Sequence, residues 1–471
     1  MKRRLRVYKK TVSIVNETAT GMYESLVGDK KGFLLESYDK NYDRYTFFGK
    51  EPEEIISSRG NALVISKNDG TEEVRNGNPL ERLKEYYSEF DIVKDNEELS
   101  FSGGLVGNLG YDFVRYAEVL PDNNPDEIGI ETVQMMLMTK FIMVDHVAET
   151  LTGIILGEDT PEGKEKSLEE AEELIRQALA NKGRAPEKNF THDGVIVNQS
   201  DSLEQYSQKV EKIKEYIREG HIFQTVLSQR WTIETKQSGF ELYKELRELN
   251  PSPYLYYFNY GDFEVIGSSP EMIVKRQGNR VYTCPIAGTR KRGADAEEDA
   301  LLRDELLQDE KERAEHVMLV DLARNDMGRI SEFGTVKVTQ FMEVQNYSHV
   351  MHIVSMVEGR KKGEFHPLDL VSSFLPAGTL SGAPKIRAME IIDELESVRR
   401  GLYGGATGYI DFSGDMDFCI TIRTMIKKEN RVYLQAGAGI VADSVPENEY
   451  QECCNKVMAL AKTLVNVSST L

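Results

Sequence analysis

Along the chain, short runs of alternating apolar and polar residues are interleaved with longer runs whose apolar residues fall three and four apart. Strand and helix patterns therefore mix throughout. From residue 1 to about 160 the alternating runs dominate, separated by turn signals at Asn61, Asp69-Gly70 and Asn76-Gly77, which predicts β-rich structure. One helix interrupts it near Pro79 to Tyr87. Ser167-Leu168-Glu169-Glu170 reads as a capping box opening a charged helix with Leu168, Ala171 and Ile175 as its apolar stripe. Gly163, Gly183 and Pro186 surround that helix and mark a boundary between two parts, 1–190 and 195–465. A second box, Ser202-Leu203-Glu204-Gln205, starts a helix carrying Tyr206, Val210, Ile213 and Ile217 on one face, and Gly220 stops it. Beyond it, strands are expected at 222–234, 254–259, 263–267, 350–357, 418–425 and 431–436. Long helices are expected at 297–323, 383–396 and 446–463. Such irregular alternation favours an α+β sandwich of sheets and helices over a doubly wound sheet.

Composition narrows the function classes. A chain of 471 residues is too long for one simple core, so two domains or one elaborate fused core are expected. No run of about 18 apolar residues occurs, which argues against a membrane span. The N-terminus is basic but lacks an apolar secretory segment, so the cytoplasm is the expected location. Cys284, Cys419, Cys453 and Cys454 show no metal-binding spacing and read as thiols in a reducing compartment. The net charge of −20 repels nucleic acid and anionic membrane, so neither is an expected partner. It also repels a small anion, which must then be held by local cations, backbone N–H groups or a metal.

Several stretches carry candidate chemistry. Glu312 and Glu315 lie one turn apart on the 297–323 helix, and Glu449 and Glu452 have the same spacing on the last helix. Paired carboxylates suit Mg²⁺; the same spacing is also that of a solvated acidic face, and Glu452 can pair with Lys456. Gln435–Ala442 follows a strand but does not open a helix as a dinucleotide fingerprint must. It reads as a glycine-rich turn, either holding an anion on its N–H groups or simply turning. Ser381 reads as a helix N-cap, as does Ser444 in Ser444-Val445-Pro446-Glu447. His352 lies in an apolar strand, and Arg290, Lys291 and Arg292 form a basic loop.

Long motifs in one order tie these stretches together: Pro285–Thr289, Glu315–Asp326, Tyr347–Ser355, Gly378–Glu390, Gly404–Tyr409, Ile422-Arg423-Thr424 and Ala436–Pro446. Through them the chain resembles the chorismate-utilising enzymes, and among these the large subunits of anthranilate synthase. The resemblance implies a two-domain sandwich of large β-sheets covered by helices. It further implies conversion of chorismate and ammonia to anthranilate and pyruvate. Water-adding relatives typically carry lysine where this chain has Gln224, and aminodeoxychorismate synthases commonly have lysine in place of Ala287. Both substitutions favour the anthranilate branch over the aminodeoxychorismate and aminodeoxyisochorismate alternatives. A non-enzymatic tryptophan sensor is the alternative from another class.

The resemblance also assigns roles. Glu315 and Glu452 would hold Mg²⁺. Arg423, Tyr409, Gly437, Ala438 and Gly439 would hold a substrate carboxylate, with Gly288 and Thr289 lining the ring. Glu312 would be the general acid, Gln224 would meet the ammonia, and His352 would take part in elimination. Glu36 and Ser37, with Pro253, Tyr254 and Leu255, resemble the two segments of a tryptophan feedback site. No glutaminase nucleophile is apparent, so a glutamine amidotransferase subunit is the expected ammonia donor, in a heterodimer or heterotetramer.

Overall fold

The structure, a computed structural model, describes residues 2–15, 17–37, 44–94, 99–180, 191–347, 350–363 and 365–465. Two large β-sheets face each other. The first runs from Val195–Gln199 through Gln224–Glu234, Arg431–Ile440, Thr424–Lys428, Glu264–Ser269, Tyr254–Asn259 and Gly32–Glu36. It continues through Tyr45–Lys50, Lys140–Asp145, Thr150–Glu158 and Arg3–Ser13 to Phe90–Val93. The second starts at Ile286–Lys291 and Val350–Arg360 and passes through Arg280–Thr283, Met272–Gln277, Met416–Ile420 and Ala406–Asp411. It then takes in Gly104–Leu109, Val133–Met138, Glu54–Ser58 and Ala62–Lys67, ending at Glu72–Asn76.

Aromatic and aliphatic residues of the two inner faces, among them Phe33, Phe47, Phe101, Met136, Tyr256, Phe258 and Cys419, form the central core layer. Helices cover the outer faces. Ala19–Leu26, Pro161–Ala178, Leu203–Arg218 and Pro446–Ala461 pack on the first sheet, and Pro79–Tyr87, Glu310–Ile330 and Pro367–Phe374 pack on the second. Alternating side chains on each strand thus satisfy two apolar layers at once.

The strands do not sort by half. Gly32–Glu36 pairs with Tyr254–Asn259, placing Phe33 opposite Phe258, and Gly104–Leu109 pairs with Ala406–Asp411. The segments 1–190 and 195–465 therefore share both sheets. The boundary residues Gly183 and Pro186 lie outside the described residues, as do Ser348 and His349 of the Tyr347–Ser355 motif.

Several local expectations are corrected. The helix expected at 297–323 is two, Ala296–Gln308 and Glu310–Ile330, because Asp309 ends the first and caps the second, its carboxylate accepting from the Lys311 and Glu312 N–H groups. Ser167 is interior to Pro161–Ala178, which Thr160 caps. Ser381 is not an N-cap: it is buried at the end of the Gly378–Leu380 turn, its hydroxyl donates to the Ala377 carbonyl, and Pro384 precedes Lys385–Leu395. Ser444 accepts from the Val441 N–H, while Val445 is the cap residue of Pro446–Ala461. The strand expected at 418–425 is two strands in different sheets, and the chain crosses between them at Thr421–Arg423. The box at Ser202 forms in full.

Candidate functional site

A cavity of ≈240 Å³ collects residues from both sheets and from helices Glu310–Ile330 and Pro446–Ala461. Of the residues singled out from the sequence, Gln224, Ala287, Thr289, Glu315, His352, Arg423, Gly437, Gly439, Glu452 and Lys456 line it.

The glycine-rich segment is strand, not turn, and the register explains how it can still offer donors. Val226 and Ser228 send their N–H groups to Ser381 and Glu396 rather than to the neighbouring strand. Their cross-strand partners Gly439 and Gly437 therefore belong to non-hydrogen-bonded pairs, with peptide groups facing away from Gln224–Glu234. On that side Thr424–Lys428 pairs only as far as Leu434, so the Gly437 and Gly439 N–H groups border an open sheet edge. Ala438 alternates with them and pairs with Leu227 in the hydrogen-bonded ladder, which removes it from the expected donors. A side chain at Gly437 would meet Val226 Cγ1 at 2.9 Å and the Tyr403 hydroxyl at 3.0 Å, so only glycine permits this approach.

Arg423 stands where the chain crosses sheets, with a left-handed φ of 49°. Such a conformation costs of order 1 kcal/mol or more for a non-glycine residue and is held by its surroundings. Among the described residues no carboxylate lies within ion-pair distance of its guanidinium, which leaves a cation facing the cavity. Burial lowers its pKa, but arginine keeps its charge.

Two cavity residues escaped the sequence reading. Glu271, in the turn after Glu264–Ser269, is buried and accepts from the Thr379 hydroxyl at 3.0 Å. Burial raises its pKa to about 7, against the pull of Thr379, Arg423 and Lys456. Tyr403 is the second. Its signal is the Leu402-Tyr403-Gly404-Gly405 turn that enters Ala406–Asp411; Tyr403 directly precedes the Gly404–Tyr409 motif. A carboxylate directly after a proline at a strand end was the only signal for Glu271.

Other expected residues lie elsewhere. Tyr409 is between the sheets, edge-on to Phe47 and tilted against Phe101, with its hydroxyl 3.3 Å from the Ser100 carbonyl, and does not reach the cavity. Gly288 forms a β-bulge at φ +66° between Ala287 and Thr289. Glu312 sits against the bulge, 3.2 Å from where a Gly288 Cβ would be and 3.6 Å from Arg290, so it backs the wall rather than lining it. Burial raises its pKa, with Asp309 adding to the shift.

His352 Nδ1 lies 2.8 Å from the Gly288 carbonyl and 3.1 Å from Thr289 Oγ1. Burial lowers its pKa to about 4. A neutral imidazole bonded to a carbonyl through Nδ1 carries its proton there, leaving Nε2 as the unprotonated nitrogen.

Glu315 and Glu452 face each other across the two helices. The Glu315 pKa is raised by burial and then by Glu312 and Glu452, while Glu449 is raised by burial and by Glu452. Glu452 also pairs with Lys456 at 2.6 Å, and Lys456 donates to the Gly437 carbonyl. Among the described residues no cluster of three His, Cys, Asp or Glu side chains could hold a metal unaided. Two carboxylates with waters and an anionic substrate are nevertheless a donor set that fits Mg²⁺.

A second, smaller pocket of ≈40 Å³ is lined by Leu35, Glu36, Ser37, Pro253, Tyr254, Leu255 and Tyr409, among others. The Glu36 carboxylate is occupied by Arg247 at 2.9 Å and by the Tyr243 hydroxyl. Ser37 Oγ is buried, with no hydrogen-bond partner among the described residues. The Tyr254 hydroxyl donates to Asp417 at 2.9 Å.

The family model described as chorismate binding enzyme matches residues 33–462. The chain belongs to the chorismate-binding enzyme family. Among curated members, the chain is 44% identical to anthranilate synthase component 1 of Acetivibrio thermocellus, covering 95% of this chain and 93% of that one. It is 43% identical to the Aquifex aeolicus protein of the same name, over 92% and 88%. The structure of anthranilate synthase component I from Streptococcus pneumoniae superposes with TM-score 0.78 at 39% identity, over 89% and 92%. The menaquinone-specific isochorismate synthase of Escherichia coli shares the fold, with TM-score 0.73 at 18% identity over 98% and 95%. No helix of this chorismate-binding enzyme, among the described residues, is long and apolar enough to cross a membrane.

Proposed function

We propose that this chorismate-binding enzyme converts chorismate and ammonia to anthranilate, pyruvate and water. The observation that carries the reading is the cavity itself. It combines an unpaired cation at Arg423, an open glycine edge, a protonatable buried carboxyl at Glu271 and an amide at Gln224. Near-full-length similarity to anthranilate synthase component 1 supports the choice of product.

Arg423, Tyr403 and the Gly437 and Gly439 N–H groups receive one substrate carboxylate. Glu315 and Glu452 would hold Mg²⁺, which when bound supplies positive charge for the other. Glu271, rather than Glu312, is the general acid: it lines the cavity, and a pKa of about 7 keeps a substantial fraction protonated at neutral pH. It gives its proton to the departing ring hydroxyl, which leaves as water. Gln224 has no basic nitrogen, which suits ammonia because ammonia needs no deprotonation to attack. His352 Nε2 is free to take the ring proton as pyruvate departs.

The pocket around Ser37 and Pro253 would take tryptophan as feedback inhibitor; the Ser37 hydroxyl, without a partner among the described residues, offers it a polar contact. A glutamine amidotransferase subunit in the cytoplasm would supply the ammonia, since Cys284, Cys419 and Cys453 are buried and their pKa values are raised by burial.

The test is to incubate the protein with chorismate, ammonium and Mg²⁺ and follow anthranilate fluorescence with and without tryptophan. Fluorescent product that requires Mg²⁺ and falls with tryptophan supports the reading; isochorismate or a non-aromatic amino-chorismate as sole product refutes it.

A further inference from the structure

Behind the cavity, and not lining it, lies an ion pair with only 1% and 3% of its two side chains exposed, Arg400 and Glu396. Every guanidinium nitrogen of Arg400 is bonded. Nε donates to Glu396 at 2.9 Å, Nη1 to the Leu380 carbonyl at 2.6 Å, and Nη2 to Glu396 at 2.7 Å and the Val226 carbonyl at 2.9 Å. Val226, Leu380 and Tyr403 are three different walls of the cavity. The guanidinium also lies between two rings, 4.6 Å from that of Tyr111 and 5.6 Å from that of Tyr403. On the other side Glu396 accepts from the Ser228 N–H at 2.8 Å and its hydroxyl at 2.7 Å. Ser228 is the cross-strand partner of Gly437 and in turn accepts from the Gln435 amide at 2.8 Å.

One buried pair thus fixes the tyrosine, the strand opposite the glycine edge and the turn that carries Thr379. An apolar side chain of similar volume would fill the space without desolvating a charge. What it would lack is the pair of directed bonds to the Leu380 and Val226 carbonyls and the guanidinium's contact with the Tyr403 ring. The hydroxyl of that Tyr403 ring stands 3.0 Å from the position a Gly437 Cβ would take.

We propose that Arg400 is a positioning residue: through its ion pair with Glu396 it presents the Tyr403 hydroxyl, beside the Gly437 edge, to the substrate's carboxylate. The inference rests on the chorismate reading of the cavity. Arg400 acts only through Tyr403 and the backbone it holds, so its loss and the loss of the hydroxyl should not add.

The experiment measures chorismate dissociation constants by calorimetry, without ammonium, for the wild type, Tyr403→Phe, Arg400→Lys and the double variant. Each single variant should weaken binding about tenfold, and the double should be within about twofold of either, with kcat of Arg400→Lys at saturating chorismate within about threefold of wild type. Arg400→Met/Glu396→Leu removes both charges, leaves no lone buried ion, and should show the same loss in a protein that still unfolds cooperatively. An additive loss of about a hundredfold in the double variant overturns the proposal, as does wild-type affinity in Arg400→Lys or in the doubly neutral variant. A wild type that fails to bind chorismate instead overturns the functional reading, and the positioning role with it.

Discussion

Glu271 is buried and Glu312 only half-buried, and burial and placement separate their chemistry. Glu271→Gln should lower kcat by about 10²–10⁴, the usual worth of a positioned acid, while chorismate still binds. Glu312→Gln should keep at least about a tenth of the wild-type rate; steady-state kinetics on the two variants decides between them. The ionisation of Glu271 has a second signature. Its folded pKa stands raised from the ordinary 4.5 to about 7, so the neutral form favours the folded state. That contribution is intact below about pH 4.5 and lost as pH rises through 7, with a worth of about 3 kcal/mol. Glu271→Gln should therefore melt above the wild type at pH 8 and level with it at about pH 4, and kcat should fall above neutral pH as the acid ionises. Of these distinctions the sequence carried little. Residue types and motif order pointed to Glu315, Arg423, His352 and Gln224, but which of several acids is desolvated depends on three elements far apart in the chain. Tyr403 and Tyr409 differ by six positions, and only the strand's direction tells which reaches the cavity.

At the level of elements, the Arg431–Ile440 strand shows how a sheet can bind an anion. Its first half is paired on both edges and its second half on one, so the donors appear where the neighbouring strand stops. Gly439→Ala would place a methyl carbon 2.7 Å from the Gln224 amide nitrogen, the movable end of a side chain. It should raise the chorismate KM and slow amination with a stability change under about 1.5 kcal/mol by thermal melting. Gly437→Ala, crowded by the Leu227 carbonyl at 3.0 Å as well, should be the more destabilising of the two. Helices were legible wherever an amphipathic stripe and a true cap coincided, as at Ser202. The sequence misled where the pattern continued through a break: Asp309 divides one apolar run into two helices, and residues 418–425 alternate correctly although they belong to two sheets. A glycine-rich segment looks like a turn when its strand partners cannot be seen.

At the scale of the whole molecule, the smaller pocket is walled by strands of both sheets. Tyr254 lines the smaller pocket and bonds Asp417, and Asp417 pairs at 2.7 Å with Lys275 on the adjacent strand of the second sheet. Ser37→Leu would fill much of a ≈40 Å³ space, and it should abolish tryptophan inhibition while leaving chorismate turnover within about twofold of wild type, as read in the fluorescence assay. The α+β class and the stacking of large sheets under helices were expected from the mixed periodicity and the family resemblance. That both halves interleave in both sheets was not, because strand order is set by contacts between residues more than two hundred positions apart, and local pattern is blind to them.

That interleaving bears on how the protein is made. Gly32–Glu36 leaves the ribosome some two hundred residues before Tyr254–Asn259, the strand it pairs with, and Gln224–Glu234 waits as long for Arg431–Ile440. Until then the nascent chain carries apolar strand edges with no neighbour, the condition in which chains associate wrongly. Residues 1–190 expressed alone should be insoluble or lack a cooperative melt, whereas the same segment co-expressed with residues 191–471 should be recovered as a soluble complex. Among the described residues, the Arg431–Ile440 strand and the Pro446–Ala461 helix after it bring the glycine edge and Glu452 to the cavity, so the site cannot form before both have been made.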